Sequence, residues 1–190
     1  MYKRQKKGDT LQKRYAFLGE EPEDAAKRMG GKALAIKNAH GDDMDEMARA
    51  MFGVFEYFIG NTDFSVTQLH NVLLLQRDSI FDLAFPVARD FDWSGAVDAR
   101  YAFPDYRLPI KNVKQRLMKG ECASKAVFDS VFQIFRAKKE PIYALYHDSL
   151  SAGMKPDVVN KTLKYFDEFY ATINNPRDAK DEIISACGPS

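Results

Sequence analysis

The chain has 190 residues, 45% of them hydrophobic and 13% aromatic, which is enough for one domain with its own core and too apolar for a disordered segment. Its 28 Lys and Arg stand against 27 Asp and Glu, so the net charge of +1 excludes a global field for nucleic acid or an anionic membrane, and any partner must be recognised locally. No apolar run approaches the roughly 20 residues that span a bilayer, and the basic Lys3, Arg4, Lys6 and Lys7 have no apolar segment behind them, so the chain reads as soluble, without membrane span or export signal.

Residues 1–40 are polar and interrupted by Gly8, Gly19, Pro22, Gly30 and Gly31, with Tyr15-Ala16-Phe17-Leu18 as the one candidate strand. They read as an incomplete lead-in, and Tyr2-Lys3-Arg4-Gln5 has the look of a fragment end, so a truncated reading frame is expected, with the domain proper over residues 41–190. Ala33-Leu34-Ala35-Ile36, flanked by Lys32 and Lys37, reads as a solvated turn.

From residue 42 to 59, Met44, Met47, Ala48, Met51, Phe52, Phe55, Phe58 and Ile59 recur at three- and four-residue intervals behind an Asp-rich start, the pattern of a buried amphipathic helix. Gly60-Asn61-Thr62-Asp63 stops it. A polar loop then runs to His70-Asn71, followed by two apolar runs, Val72-Leu73-Leu74-Leu75 and residues 80–87, that suit a β-hairpin with Pro86 near the end of its second strand. Arg89-Asp90-Phe91-Asp92-Trp93-Ser94-Gly95 reads as a loop leaving a strand end, with Trp93 expected to pack. Helices are expected at 110–118, 124–137, 139–150, 157–173 and 176–186, between breaks at Gly120, Gly153 to Pro156 and Asn174-Asn175-Pro176. The fold class is therefore α+β, mainly α-helical with a small β-hairpin.

Cys122 and Cys187 are far apart and make no metal-ligand spacing, which argues against zinc. Two unrelated thiols are expected, since a disulfide would need an oxidising compartment. His40 and His147 are expected on the surface. Val158, Val159, Leu163, Phe166, Phe169, Tyr170 and Ile173 make one apolar helix face, a support layer whose substitution should unfold the protein rather than inactivate it.

Phosphoryl transfer needs a hydroxyl positioned by a carboxylate and a divalent cation held against phosphates by hard oxygen ligands. Asp63, then Asn71, then a hairpin, then Asp90-Phe91-Asp92 supply such groups in kinase order. The stretch Ile59-Gly60-Asn61-Thr62-Asp63 to His70-Asn71, with Leu73-Leu74-Leu75 after it, resembles the catalytic loop of HipA-type and spore-coat CotH-type kinases, and Arg89-Asp90-Phe91-Asp92-Trp93 resembles their metal-binding segment. The resemblance spans about 37 residues, 59–95. It implies a protein-kinase-like C-lobe with Asp63 as catalytic base, His70 orienting it, Asn61 and Asn71 on the nucleotide side, and Asn71, Asp90 and Asp92 as ligands of Mg²⁺ or Mn²⁺ carrying ATP. It also resembles the C-terminal part of larger bacterial proteins, often exported, that share the Gly-Asn-Thr-Asp and Asp-Phe-Asp-Trp-Ser-Gly signatures, so the compartment stays open.

Three departures bear on the expectation. Seven residues separate Asp63 from Asn71 where the protein-kinase pattern has four, Asp92 replaces the usual Gly after Asp-Phe, and no Gly-rich loop or Val-Ala-Ile-Lys strand precedes the loop. An N-terminal lobe of the same parent protein would then be missing, leaving the isolated chain weakly active or inactive. The implied partners are a nucleotide and a hydroxyl acceptor, not nucleic acid. Structural roles for the same residues are the alternative: Asp63 as a turn residue or as N-cap of a short helix at 65–69, Asn71 bridging backbone groups, Asp90 and Asp92 capping loop amides. In that case the chain is a non-catalytic pseudokinase-like or helical interaction module, with Tyr165-Phe166-Asp167-Glu168-Phe169-Tyr170 as its docking segment. A metal-dependent hydrolase built on the same carboxylates ranks below both.

Overall fold

Pro at the first helical position, acidic Glu23 and Asp24 in the first turn and basic Lys27 and Arg28 in the last give a short helix, α1 (Pro22–Arg28), each feature matching the helix dipole or the orphan amides. The computed structural model describes residues 19–77, 82–149 and 151–188, so the Tyr15 to Leu18 run lies outside the described residues. The chain turns at Gly30, φ +73°, into β1 (Gly31–Leu34). β1 pairs antiparallel with β2 (Val72–Arg77), from Gly31 opposite Arg77 to Leu34 opposite Leu74, and β2 pairs antiparallel with β3 (Phe85–Ala88), from Val72 opposite Ala88 to Leu75 opposite Phe85. Of the expected second strand, 80–87, residues 80 and 81 lie outside the described residues and 82–84 are not strand, and the pair β2–β3 is part of a three-stranded sheet with β2 in the middle. Gly31 to Leu34 is a strand rather than a turn, because β2 offers an open edge that short-range reading does not reveal. Pro86 sits on the edge strand β3, where its missing N–H leaves no ladder bond unmade.

α2 (Glu46–Ile59) begins where the Asp45 carboxylate accepts from Ala48 N at 2.8 Å and ends at Gly60 in the left-handed conformation, φ +66°. It is buried on two sides. Phe58 stacks on Phe166 at 4.3 Å and meets Phe135 and Phe169, in the core shared with the C-terminal helices. On the other side Phe52 packs edge-on against Phe64, 5.1 Å away, in a second cluster with Met44, Val66, Val72, Leu74 and Ala84 that fastens the sheet and the loop after Gly60 to α2. Of the expected stripe, Met47 is 37% exposed and contributes least.

No helix forms over residues 110–118. Asn112 Oδ1 accepts from Lys114 N and Gln115 Oε1 from Lys111 N, side-chain bonds that compete with helical ones. Val113 and Met118 are buried, and Arg116 reaches from this segment to accept no helical role at all: its guanidinium donates to the carbonyls of Tyr57, Phe58 and Tyr165 and lies 3.6 Å from the centre of the Tyr165 ring. The two helices expected at 124–137 and 139–150 are one, α3 (Lys125–Ala144), capped by Ser124 and continuing through Pro141, followed by a 3₁₀ turn, Leu145–His147. Phe128, Val131, Phe132 and Phe135 keep one buried face along its first part, and nothing in Ala137-Lys138-Lys139 interrupts it.

α4 (Pro156–Asn174) agrees with the expected 157–173, except that Val158 is 41% exposed and off the buried face. Tyr165, Phe166, Phe169 and Tyr170 are core residues, so the segment 165–170 is no exposed docking surface. α5 (Pro176–Ala179) passes into a π-helical turn, Lys180–Ile184. Cys122 and Cys187 form a disulfide, Cα to Cα 5.0 Å, contrary to the expectation of unrelated thiols: the π-helical turn and the residues after it fold back on the segment before α3, where Gly188 N also donates to Gly120 O at 3.0 Å. The architecture is α+β, mainly helical, and among the described residues no helix is long and apolar enough to cross a membrane.

Candidate functional site

The seven-residue gap between Asp63 and Asn71 is taken up by a closed loop. Ser65 and His70 exchange both backbone hydrogen bonds, at 3.0 and 2.9 Å, Ser65 Oγ lies 3.0 Å from Thr67 Oγ1, and Leu69 turns the chain at φ +55°. Asn71, itself at φ +54°, is thereby returned to Asp63. Its Nδ2 donates to the Asp63 carbonyl at 2.7 Å and to Asp63 Oδ2 at 3.0 Å. His70 Nε2 lies 3.1 Å from Asp63 Oδ1, and because a carboxylate only accepts, Nε2 carries the hydrogen in this contact. Both Asp63 oxygens are oriented, while 36% of the side chain remains exposed to meet a ligand.

Asn61 is placed differently. It is 1% exposed, and its Oδ1 accepts from the Asp63 amide at 3.0 Å, so it holds the backbone of the Asp63 loop rather than facing a nucleotide.

Asp90 and Asn71 flank the paired ends of β2 and β3, where Arg89 N donates to Asn71 O at 2.9 Å. Asp90 is also left-handed, φ +53°. Three non-glycine residues of one small region, Leu69, Asn71 and Asp90, thus hold a backbone conformation that costs an L-residue about 1–2 kcal/mol, a kind of strain that clusters at functional sites. Among the described residues no hydrogen bond occupies the Asp90 carboxylate. Asp92 is turned to a different partner: its Oδ2 accepts from the Tyr101 hydroxyl at 3.0 Å, a bond that raises the Tyr101 pKa above the usual phenol value.

Asp63, His70, Asn71 and Asp90 border two cavities, and Asn61 and Asp92 line neither. One, of about 1060 Å³, is lined by Asp63, His70, Trp93, Phe103, Tyr106, Arg107 and Lys119 among others. Trp93 and Phe103 form an aromatic wall with ring centres 4.8 Å apart, so Trp93 both packs and faces the site. Arg107 is engaged by Asp105, which holds the carboxyl down at about 2. Lys119 donates to the carbonyls of Thr62 and Phe64; burial pushes its ammonium below the ordinary value, against the pull of Asp63, Asp105 and Glu56. The second cavity, about 580 Å³, is lined by Asn71, Asp90, Arg89 and Arg28, among others, with Leu69 common to both. Asp63 therefore faces one cavity and Asn71 with Asp90 the other.

Comparison with known proteins gives no match. No family model, no curated protein and no solved structure is similar enough to assign the chain to a family.

The donor set suits magnesium or manganese. Mg²⁺ is commonly bound through one or two carboxylates together with phosphate oxygens rather than by a full protein cage. Asn71 spends its Nδ2 on Asp63, which leaves Oδ1 as a hard oxygen donor on a residue that lines the same cavity as Asp90. Among the described residues no group of three or more His, Cys, Asp or Glu converges on one point.

Three residues at the site escaped sequence reading. Glu56 lies within the amphipathic run but is 1% exposed, and a carboxylate on the buried side of a helix is the signal that identifies it. Lys119 and Arg107 come from irregular segments with no local pattern.

Proposed function

We propose that this chain carries the catalytic part of a kinase-like phosphotransferase, with a C-lobe-like fold, that moves a phosphoryl group from Mg²⁺·ATP to a hydroxyl acceptor. The observation carrying the proposal is the Asp63 carboxylate, gripped by His70 and Asn71 at the junction of two cavities, one bordered by Asp63 and the other by Asn71 and Asp90. Asp63 is the base: hydrogen bonds to both its oxygens orient it, and it takes the proton of an acceptor hydroxyl seated in the larger cavity. Asn71 and Asp90 hold the cation on the other side, where Arg89 brings positive charge to the same cavity, Arg28 being paired there with Glu20. A bound cation supplies charge neutralisation at the transferred phosphate. Trp93 and Phe103 form an aromatic wall on the acceptor side.

A disulfide between Cys122 and Cys187 supports an exported protein, since such bonds persist in oxidising compartments.

A specific feature favours a second reading, a non-catalytic binding module: Tyr101, Phe103 and Tyr106 are 60%, 64% and 92% exposed on one segment. Thermal denaturation with Mg²⁺ or Mn²⁺, alone and with ATP, separates the two. The phosphotransferase reading expects a midpoint that rises with metal and further with nucleotide, and an Asp90→Asn variant that loses the rise. No rise at millimolar concentrations, with the variant melting like the parent, would leave Asp63 and Asp90 as turn-forming residues and favour the binding module.

A further inference from the structure

Beneath the Asp63 loop lies a carboxyl group that the proposed reaction does not use. Glu56, on the last turn of α2, is 1% exposed, and neither carboxyl oxygen hydrogen-bonds to a protein group among the described residues. Desolvating a carboxyl without a partner is unfavourable, and an apolar residue would fill this place in a helix more cheaply. The side chain that approaches it is Asn61, also 1% exposed, whose Nδ2 has no hydrogen-bond partner either, although the amide favours the ionised form of Glu56. Asn61 Oδ1 accepts from Asp63 N at 3.0 Å, and Asn61 N donates to Glu56 O at 2.9 Å. Lys119 completes the group by donating to Thr62 O and Phe64 O. Main-chain groups of three consecutive residues, Thr62, Asp63 and Phe64, are thus each held by an interior side chain.

We infer that Glu56 is a positioning residue, which through Asn61 fixes the backbone N–H of Asp63 and so aims the Asp63 carboxylate at His70 and Asn71. Asn61 has two ends: Oδ1 carries the Asp63 amide, and Nδ2, buried without another partner, is left to the equally unpartnered Glu56 carboxyl. A methionine of similar volume would fill the space and leave that second end unheld. Burial pushes the Glu56 carboxyl up to about 8, so near neutrality it offers Asn61 an acceptor without leaving a full charge in the interior. The bearing of this arrangement on catalysis rests on the phosphotransferase reading, whereas the positioning of Asp63 does not.

The test is the Asp63 amide itself, read by ¹⁵N-resolved chemical shift and hydrogen exchange on the full chain, in Glu56→Gln, Glu56→Met and a control, Val131→Ala, which opens a cavity in the core away from the loop. Glu56→Gln should retain the parental shift and exchange rate, Glu56→Met should move the shift and speed exchange by about tenfold or more, and the control should lower the melting midpoint without touching the Asp63 signal. If Glu56→Met does not fold, Glu56→Asp, which withdraws the carboxyl by one methylene, takes its place with the same expectation. An Asp63 amide unchanged in Glu56→Met, or changed equally by the control, overturns the inference. Because this readout contains no metal or nucleotide, a parent protein that ignores Mg²⁺·ATP strikes the phosphotransferase reading alone.

Discussion

The amide of Gly95 donates to the carbonyl of Gly60 at 3.0 Å, and Ala96 N to Ile59 O at 2.9 Å, so the two motifs of the site are stitched together at their glycines. The Tyr165 hydroxyl fills the space beside both. A methyl group at Gly60, where φ is +66°, would come within 1.9 Å of that oxygen, and one at Gly95 within 2.5 Å of it and of Val113 O. Gly95→Ala should destabilise the protein by about 1–3 kcal/mol and Gly60→Ala by more, since it adds left-handed strain to overpacking. Urea denaturation of the two variants checks the order.

Asn71 joins a strained backbone to a working side chain, and two substitutions separate the roles. Asn71→Gly removes the amide but tolerates φ +54°, whereas Asn71→Ala removes the amide and retains the strain. Both should abolish stabilisation by Mg²⁺·ATP, with Ala melting lower than Gly by the equivalent of about 1 kcal/mol. A full metal response in Asn71→Gly would remove Asn71 from the cation site.

Glu56 should tilt the pH dependence of stability. Its folded-state pKa of about 8 lies above the ordinary 4.5, so between these values the folded protein holds a proton that the unfolded chain has released. Stability is therefore lost as pH rises through this window, with a slope of up to about 1.4 kcal/mol per pH unit, and the contribution levels off above it. Glu56→Gln lacks this slope. Its melting midpoint relative to the parent should climb from pH 5 to pH 8, and a constant difference would mean that Glu56 does not titrate with a raised pKa.

Arg116, 9% exposed at its side chain, satisfies carbonyls of Tyr57 and Phe58 at the end of α2 and of Tyr165 in α4. The carbonyl end of a helix is the negative end of its dipole, where a guanidinium is favoured. Arg116→Met keeps much of the packing and loses the bonds, and should cost about 3 kcal/mol by chemical denaturation, judged from charged hydrogen bonds of about 1.5–3 kcal/mol each partly offset by solvation of the freed carbonyls.

The Cys122–Cys187 bond closes a loop with a sequence separation of 65. Restricting the unfolded chain by such a loop is worth about 4 kcal/mol, so the Cys122→Ser, Cys187→Ser double variant should melt well below the parent. Reductant should lower the midpoint of the parent and leave the double variant unchanged.

Local pattern was a good guide wherever one helix or strand carried its own signal. The α2 stripe, its Gly60 stop, the strand β2 and the run of α4 are periodic or punctuated, and they stand where periodicity and Gly or Pro put them, whereas β3 (Phe85–Ala88) takes up only the end of the expected 80–87 run. Asn71 and Asp90 flank the paired ends of β2 and β3, whereas Asp63 and His70 lie within the loop between α2 and β2. Residues 110–118 misled because the apolar spacing there serves tertiary contacts: Val113 and Met118 turn inward from an irregular chain while Arg116 reaches to α2. The merging of two expected helices into α3 has a related cause: nothing in Ala137-Lys138-Lys139 interrupts the helix, and the packing of Phe128, Phe132 and Phe135 in the core shared with α2 and α4 carries it through.

What one dimension carried was the chemistry of individual groups: which carboxylates and amides were present, in what order, and on which kinds of element. Closeness was another matter. The return of Asn71 to Asp63 across seven residues depends on two hydrogen bonds between Ser65 and His70; the strand Gly31–Leu34 exists because β2 presents an open edge; the cysteine pairing follows from the chain after α5 folding back; and the burial of Glu56 beneath Asp63 follows from two cores meeting on α2. Each of these joins residues distant in sequence, and such contacts form only when the entropy of closing the intervening loops is offset by packing that no short window of sequence contains.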